Sequence, residues 1–396
     1  MISSPKRLPL AVAALLGATA AQGAEPVKVG VLQSLSGTMA ISEVTVKNAE
    51  IMAIDEINAK GGVMGRRIVA IVEDGASDPA TFAQKAGKLI QQQQVATVFG
   101  GWTSASRKAM LPVFQRTNNL LWYPVQFEGN ECSPNIIYTG AQPNQQIVPA
   151  LNWAAQKGRK RYFLVGSDYV FPRTANLILK KQIAARKLAV VGEEYVPLGG
   201  TDFSAVVAKI RAAKPDIIFS TLNGDSNVSF FKQMAAAGLS SAQIPVMSFS
   251  IAEQEAQAMG PQLVKGSYAT WNYFQSMPTP ANRAFVAAYK KRFGAGAAIT
   301  DPMVHGYVNV YLWKAAVEKA RSFDPTAVRK AAAAMPAIPS PMGPVRLAGN
   351  QSLHQRAYVG QLDPAGQFRI ISRSDQEIAP NPYDRLAFPG KTCTLN

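Results

Sequence analysis

Short apolar runs alternate with amphipathic stretches from Val27 onward, and this alternation limits the fold more than any other feature of the chain. Val27-Lys28-Val29-Gly30-Val31-Leu32 reads as a buried strand, and Val44, Ile51, Ile54 and Ile57 then recur at helical spacing until Gly61-Gly62 stops the helix. Arg67 to Val72 is the next strand, 80–93 a helix, Val95 to Phe99 a strand, Ser104 to Gln115 a helix and Leu120 to Tyr123 a short strand. A βαβα rhythm implies a parallel sheet with helices on both faces. The rhythm restarts at Arg161 to Val165, with a helix opening near Pro172. Asp216 to Ser220 is a strand, and the helix after it carries Val228, Phe231 and Met234 on one face with Gly238 past its end. Pro245 to Phe249 and Tyr268 to Trp271 are strands, and helices follow at 281–293 and 303–320. Val345 to Leu347, Ala357 to Gln361 and Phe368 to Ile371 read as antiparallel strands. The pattern predicts two α/β lobes of similar, doubly wound build.

A chain of 396 residues fits two to three domains, and 47 % apolar with 17 % charged residues suffices to build cores. Two His and two Cys leave little room for a His-rich metal centre or a disulfide scaffold. No metal and no cofactor is expected.

Residues 1–24 read as a secretory signal: Lys6 and Arg7, a short apolar stretch from Leu8 to Gly17, then small residues at Ala18-Thr19-Ala20 and Ala21-Gln22-Gly23. The apolar stretch is half of the about 20 residues a membrane span needs. No Cys lies near the cleavage region, so a lipid anchor is not expected. The mature protein is expected to be soluble in a periplasm-like space. Losing Lys6 and Arg7 lowers the formal net charge of +16 by two. The remaining basic residues are scattered, the densest runs being Arg159-Lys160-Arg161, Lys180-Lys181 and Lys290-Lys291-Arg292, with no aromatic-interleaved stripe. A solvated positive surface fits this better than a nucleic-acid face, so no nucleic-acid partner is expected. In an oxidising compartment Cys132 and Cys393 can close one bridge; the alternative is two free thiols.

Ligands of open α/β sheets sit beyond the carboxyl ends of the strands. The segments there are Gly100-Gly101-Trp102-Thr103-Ser104, Pro124-Val125-Gln126-Phe127, Gly166-Ser167-Asp168-Tyr169, Thr221-Leu222-Asn223-Gly224-Asp225, Ser250, and Asn272-Tyr273. They are rich in hydroxyls, amides and aromatics and hold few charges and no His. Such a set suits a small, neutral, planar ligand. Its carbonyl would accept from Ser104 and from backbone N–H groups at a helix start. Its N–H groups would donate to Tyr123, Gln126, Asp168 or Asp225, and its flat face would lie on Trp102. Each residue has an ordinary alternative: Ser104 and Asp225 as helix caps, Trp102 and Tyr169 as core.

Catalytic motifs are missing. Gly61-Gly62-x-x-Gly65 follows a helix rather than a strand and reads as a helix stop. Asp78-Pro79 opens a helix, His305 and His354 have no partner in sequence, and no Ser or Cys sits in a nucleophile elbow. The chain is expected not to be an enzyme.

Several runs resemble one family. They are Asn58-Ala59-Lys60-Gly61-Gly62-Val63-Met64-Gly65-Arg66, Trp102-Thr103-Ser104-Ala105-Ser106-Arg107-Lys108, Tyr123-Pro124-Val125-Gln126-Phe127-Glu128-Gly129, Ser133-Pro134-Asn135-Ile136, Gly166-Ser167-Asp168-Tyr169-Val170-Phe171-Pro172-Arg173 and Thr221-Leu222-Asn223-Gly224-Asp225-Ser226. Together, over about residues 27–372, they resemble the substrate-binding proteins of urea ABC transporters, the urea and short-chain amide branch of the type I periplasmic binding proteins. The resemblance implies two lobes joined by three crossovers near Gly140, Phe274 and Gly343. Lobe 1 would then be 25–140 plus 275–342, and lobe 2 141–274 plus 343–396. It implies capture of urea, or alternatively a short-chain aliphatic amide or a branched-chain amino acid, for delivery to an ABC permease. It carries over Trp102, Thr103, Ser104, Tyr123, Gln126, Asp168, Tyr169 and Asp225 as ligand-binding positions. One position departs from the branch: after Asp301-Pro302-Met303, where an acidic residue is usual, this chain has Val304-His305. A larger amide gains over urea if that acid supports the pocket.

Overall fold

The computed structural model describes Met1 and residues 24–395; apart from Met1 and Ala24, the expected export signal lies outside the described residues. Two separate sheets carry the chain. The first is built from β1 (Val27–Gln33), β2 (Ile68–Asp74), β3 (Val98–Gly100), β4 (Leu121–Tyr123) and β5 (Ile136–Tyr138), in the order β2-β1-β3-β4-β5 with every pair parallel. Helices α1 (Ala40–Ala59), α2 (Pro79–Gly87) and α3 (Ser104–Thr117) connect these strands.

The second sheet begins after α4 (Ile147–Gln156). It holds β6 (Arg161–Ser167), β7 (Ala189–Val196), β8 (Ile217–Thr221), β9 (Val246–Ser248) and β10 (Tyr268–Trp271), connected by α5 (Val170–Ala185), α6 (Ser204–Ala213), α7 (Ser226–Ala236), α8 (Glu253–Met259) and α9 (Pro261–Val264). Its parallel part runs β7-β6-β8-β9-β10, which repeats the order of the first sheet. Alternation within a strand shows why both faces need covering. Phe163 and Val165 enter one core with Ile218, while Tyr162 and Leu164 enter the opposite one with Ile217 and Phe219.

The chain then returns to the first lobe as α10 (Pro280–Phe293), α11 (Asp301–Ala320) and α12 (Pro325–Ala333). Trp313 of α11 packs edge-on against Phe99 of β3, ring centroids 5.9 Å apart. A last passage brings β11 (Tyr358–Leu362) and β12 (Phe368–Arg373) antiparallel onto the free side of β10. Two-lobed α/β architecture therefore stands as the alternation predicts.

Some expectations shift. Val345 and Leu347 form only isolated bridges, to Ile338 and Leu353, rather than a strand of the second sheet. Val345, Leu347 and Leu353 are buried in the first lobe's core. The third passage therefore comes after Leu353, downstream of the expected Gly343. Seven elements met no expectation: β5, β7, α4, α6, α8, α9 and α12. β7 is an edge strand with half-exposed residues at most positions, so its Glu193 and Glu194 broke the apolar pattern.

Candidate functional site

Both sheets reverse strand order between their first and third strands, and each reversal opens a crevice at the carboxyl ends. In the first lobe that crevice lies beyond β1 and β3. Gly100, at φ +134°, lets β3 leave the sheet here, since a Cβ would meet the Leu32 carbonyl oxygen at 2.0 Å. The second lobe's crevice lies beyond β6 and β8, where Ser167 Oγ accepts from the Asn223 backbone N–H at 3.1 Å.

The two crevices face each other and are closed together. Trp102 Nε1 donates to Asn223 Oδ1 at 3.4 Å, and Gln126 Nε2 donates to the Phe249 carbonyl at 2.8 Å. Ser42 Oγ donates to Glu255 Oε1 at 2.6 Å, and the Asp225 N–H donates to Thr38 Oγ1 at 3.2 Å. Every one of these joins the first lobe to the second.

The expected residues divide by burial. Trp102, Thr103, Ser104, Tyr123 and Gln126 are buried at the closed interface or directly behind it. Thr103, not Ser104, caps α3, accepting from the Ser106 N–H at 3.1 Å. That leaves the Ser104 hydroxyl for other partners: it donates to Glu128 Oε2 and accepts from Arg107 Nη1 at 2.9 Å. The Tyr123 hydroxyl donates to the Trp102 carbonyl, so it positions Trp102 from behind. Burial raises the Tyr123 hydroxyl's pKa despite the nearby Arg107. Tyr169 immediately precedes α5 and is half-buried overall. Its hydroxyl is buried, which raises its pKa, and the fields of Tyr123, Glu128, Arg107 and Glu43 reach it. It thus faces the first lobe across the cleft. Asp168 and Asp225 point elsewhere. Asp168 pairs with Arg173 at 2.5 Å where both side chains are about half exposed, and Asp225 is exposed and caps nothing.

A buried charge cluster supports Ser104. Arg107 Nε donates to Glu131 Oε1 at 2.7 Å and Nη2 to Glu128 Oε1 at 3.3 Å, while the Tyr138 hydroxyl donates to Glu131 at 3.0 Å. The guanidinium lies 4.9 Å from the Tyr123 ring centre and 4.7 Å from that of Phe127. Burial would raise Glu131, but Arg107 outweighs it and holds the carboxyl down at about 2. Among the described residues Arg107 is the one buried Lys or Arg, and two carboxylates already engage it.

Sequence reasoning did not single out Glu43, in the first turn of α1. It is fully buried, its Oε2 accepts from the Ser34 N–H at 2.6 Å, and its Oε1 has no partner. Gln126 Oε1 is also buried without a partner. In sequence, an acid at a helix start looks like any favourable dipole contact, which hid Glu43. Glu128 did fall inside a quoted run but carried no assigned role.

His305, the departure noted above, lies away from these groups. It is buried on α11 with Nδ1 3.0 Å from Asp301 Oδ1, and Nε2 2.7 Å from Gln355 Oε1. Gln355 in turn donates to the Thr139 carbonyl, and Asp301 accepts from the Asn272 N–H. Thr139, Asn272 and Gln355 lie on the three interlobe passages, so His305 belongs to the junction between the lobes. Cys132 and Cys393 are joined in a disulfide with Cα atoms 5.6 Å apart. Among the described residues no group of three or more His, Cys, Asp or Glu could hold a metal, and no helix is long and apolar enough to cross a membrane.

Comparison with known proteins agrees with this architecture. The chain is 27 % identical over 349 residues to Leu/Ile/Val-binding protein homolog 7 of Brucella melitensis, covering 82 % of this chain and 85 % of that one. A solute-binding protein of an ABC transporter from R. palustris, solved with 4-hydroxybenzoate, is 26 % identical with a TM-score of 0.78, covering 89 % of this chain and 98 % of that one. A leucine-binding protein from Thermotoga maritima shares the fold at 18 % identity and a TM-score of 0.78, over 88 % and 98 % of the two chains. Residues 27–388 match the periplasmic binding protein domain, and the chain belongs to that family, with the type I fold.

Proposed function

We propose that this protein captures urea or a short-chain amide between its lobes and presents the closed form to an ABC permease. Family membership supports the coarser part, an extracytoplasmic solute receptor. One observation carries the choice of ligand: the closed interface buries polar side-chain atoms that lack partners, Glu43 Oε1 and Gln126 Oε1, while its buried cation is consumed by Glu128 and Glu131. A ligand that fills such a site brings hydrogen-bonding N–H and C=O groups and no net charge. A carboxylate would need a donor set that Arg107 no longer supplies. Trp102, Thr103, Ser104, Tyr123, Gln126 and Tyr169 form the proposed wall. Asp168 and Asp225, at the rim, are proposed to act on closure rather than on the ligand. The three passages act as the hinge, with the third moved to 354–357, and export directs the protein to the periplasm.

Relatives named for Leu/Ile/Val and for 4-hydroxybenzoate make a carboxylate ligand the rival reading. Calorimetry with urea, acetamide, leucine and 4-hydroxybenzoate separates the two. Urea has four heavy atoms, and at a ceiling of about −1.5 kcal/mol per atom its binding reaches roughly −6 kcal/mol, or tens of micromolar. Heat from leucine or hydroxybenzoate with silence from urea and amides overturns the proposal. Release of ammonia from urea would replace a receptor with a hydrolase.

A further inference from the structure

The first turn of α1 is part of the cleft wall, because Ser42 is bonded across the interface to Glu255. Glu43 follows it directly. Its carboxyl sits at the end of β1, one oxygen fixed by the Ser34 N–H and the other idle in a fully buried setting. A buried polar atom left unpaired costs on the order of 1–3 kcal/mol, so such an atom at a ligand crevice calls for a partner that arrives from outside.

We propose that Glu43 is a ligand-contacting residue that selects for amides: its idle Oε1 carries a proton and donates it in a hydrogen bond to the carbonyl oxygen of the ligand. The inference rests on the amide reading above and names a contact within it. Geometry fixes which oxygen does this. Oε2 already accepts from Ser34, which leaves Oε1 as the hydroxyl. Burial supplies the proton, pushing the carboxyl up to about 8 against the opposing bonds from Ser34. The ionisable groups that face it are Asp74 at the end of β2, Glu50 two turns along α1 and Tyr169 from α5. Asp74 and Glu50 act in the same direction, disfavouring a second negative charge. A neutral ligand carbonyl meets no such opposition.

The test titrates urea and acetamide into the wild type, Glu43→Gln and Glu43→Leu across pH. Wild-type affinity should hold up to neutrality and weaken about tenfold by pH 9, as Glu43 ionises and its donor is lost. Glu43→Gln keeps a donor that does not titrate. It should bind within about threefold of the wild type at neutral pH and lose the alkaline decline. Glu43→Leu removes the donor and should weaken binding at least tenfold at every pH, with a melting temperature no lower than that of Glu43→Gln. Wild-type affinity from Glu43→Leu, or an alkaline decline that survives in Glu43→Gln, overturns the role of Glu43 alone. Silence of the wild type toward both ligands overturns the amide reading and this contact with it.

Discussion

Gln126 donates from Nε2 to the carbonyl oxygen of Phe249 at 2.8 Å, tying the loop after β4 to the loop after β9 and so one lobe to the other. Its Oε1 stays free and buried beside that bond. One side chain thus serves closure with its amide hydrogens and leaves a buried acceptor without a partner.

Substitutions at this seam should be read in affinity more than in stability. Gln126→Ala removes the Phe249 bond, and Trp102→Ala removes both a flat face and the bond to Asn223. Each should weaken urea or acetamide binding at least about tenfold, the equivalent of one lost contact of about 1.4 kcal/mol. Tyr123→Phe acts indirectly, since its hydroxyl serves the Trp102 carbonyl. It should cost a similar factor in affinity together with a fall in melting temperature. Calorimetry beside thermal melts checks all three, and unchanged titrations remove the residue concerned from the wall.

Behind the seam, Arg107 satisfies two buried carboxylates at once. Arg107→Met leaves the buried Glu128 and Glu131 with only the partly exposed Lys108 as counter-charge and should destabilise the protein by about 3–5 kcal/mol. Guanidinium unfolding measures this without introducing urea, the proposed ligand. A loss below 1 kcal/mol would mean the cluster relaxes or takes up water.

Much of this was legible in the sequence, for physical reasons. Strands buried on both faces, such as Val27–Leu32 and Ile217–Ser220, announce themselves as continuous apolar runs, and the glycines after α1 mark its end. The loops that follow such strands are located with them, which puts Trp102, Ser104 and Gln126 among the residues expected beyond the carboxyl ends, where the fold buries them. What stayed hidden depends on contacts between residues far apart in the chain. β7 lies at a sheet edge and buries too little to show a pattern. Val345 and Leu347 look like strand residues yet fill the first lobe's core. Asp168 and Asp225 were placed by the loops that hold them, but an adjacent Arg173 draws one aside and the other stays at the surface. Glu43 belongs to no visible motif, and its setting appears only in the fold, where the Ser34 N–H holds one oxygen and the other is buried without a partner.

The pH dependence of stability should slope downward from mildly acid to mildly alkaline conditions. Burial lifts Glu50 and Glu253 to about 8, as it does Glu43. In the unfolded chain these acids ionise near 4.5, whereas the native protein holds them neutral. Their contribution is therefore intact below about pH 4.5 and is lost progressively as pH rises toward 8, by at most about 5 kcal/mol each. His305 adds to the slope. Burial alone would lower it, but Asp301 and the bond to Gln355 prevail and raise it. Its stabilisation is full below its ordinary value of about 6.5 and disappears as pH passes the elevated native value. Melting temperatures at about pH 5.5 should exceed those at about pH 8.5, and Glu50→Gln should flatten the difference. A rising profile would show that these carboxyls are ionised in the native state.

The disulfide between Cys132 and Cys393 closes a loop across 261 residues and pins the C-terminal segment to the first lobe. That segment also reaches the second lobe. The Asn130 N–H donates to the Pro382 carbonyl at 2.6 Å, while Gln182 of α5 donates to Asp384 at 2.6 Å. Reduction frees the unfolded chain more than it disturbs the native one, so the cost should be about 2–5 kcal/mol. The nearby Glu131 is held independently by Arg107, Lys108 and Tyr138. Ligand affinity should therefore change less than about threefold while the melting temperature falls. Melts and calorimetry on the wild type with and without reductant, and on the Cys132→Ser/Cys393→Ser variant, read both effects. An affinity loss that outruns the loss of stability would mean the bond holds Glu128 and Ser104 in register.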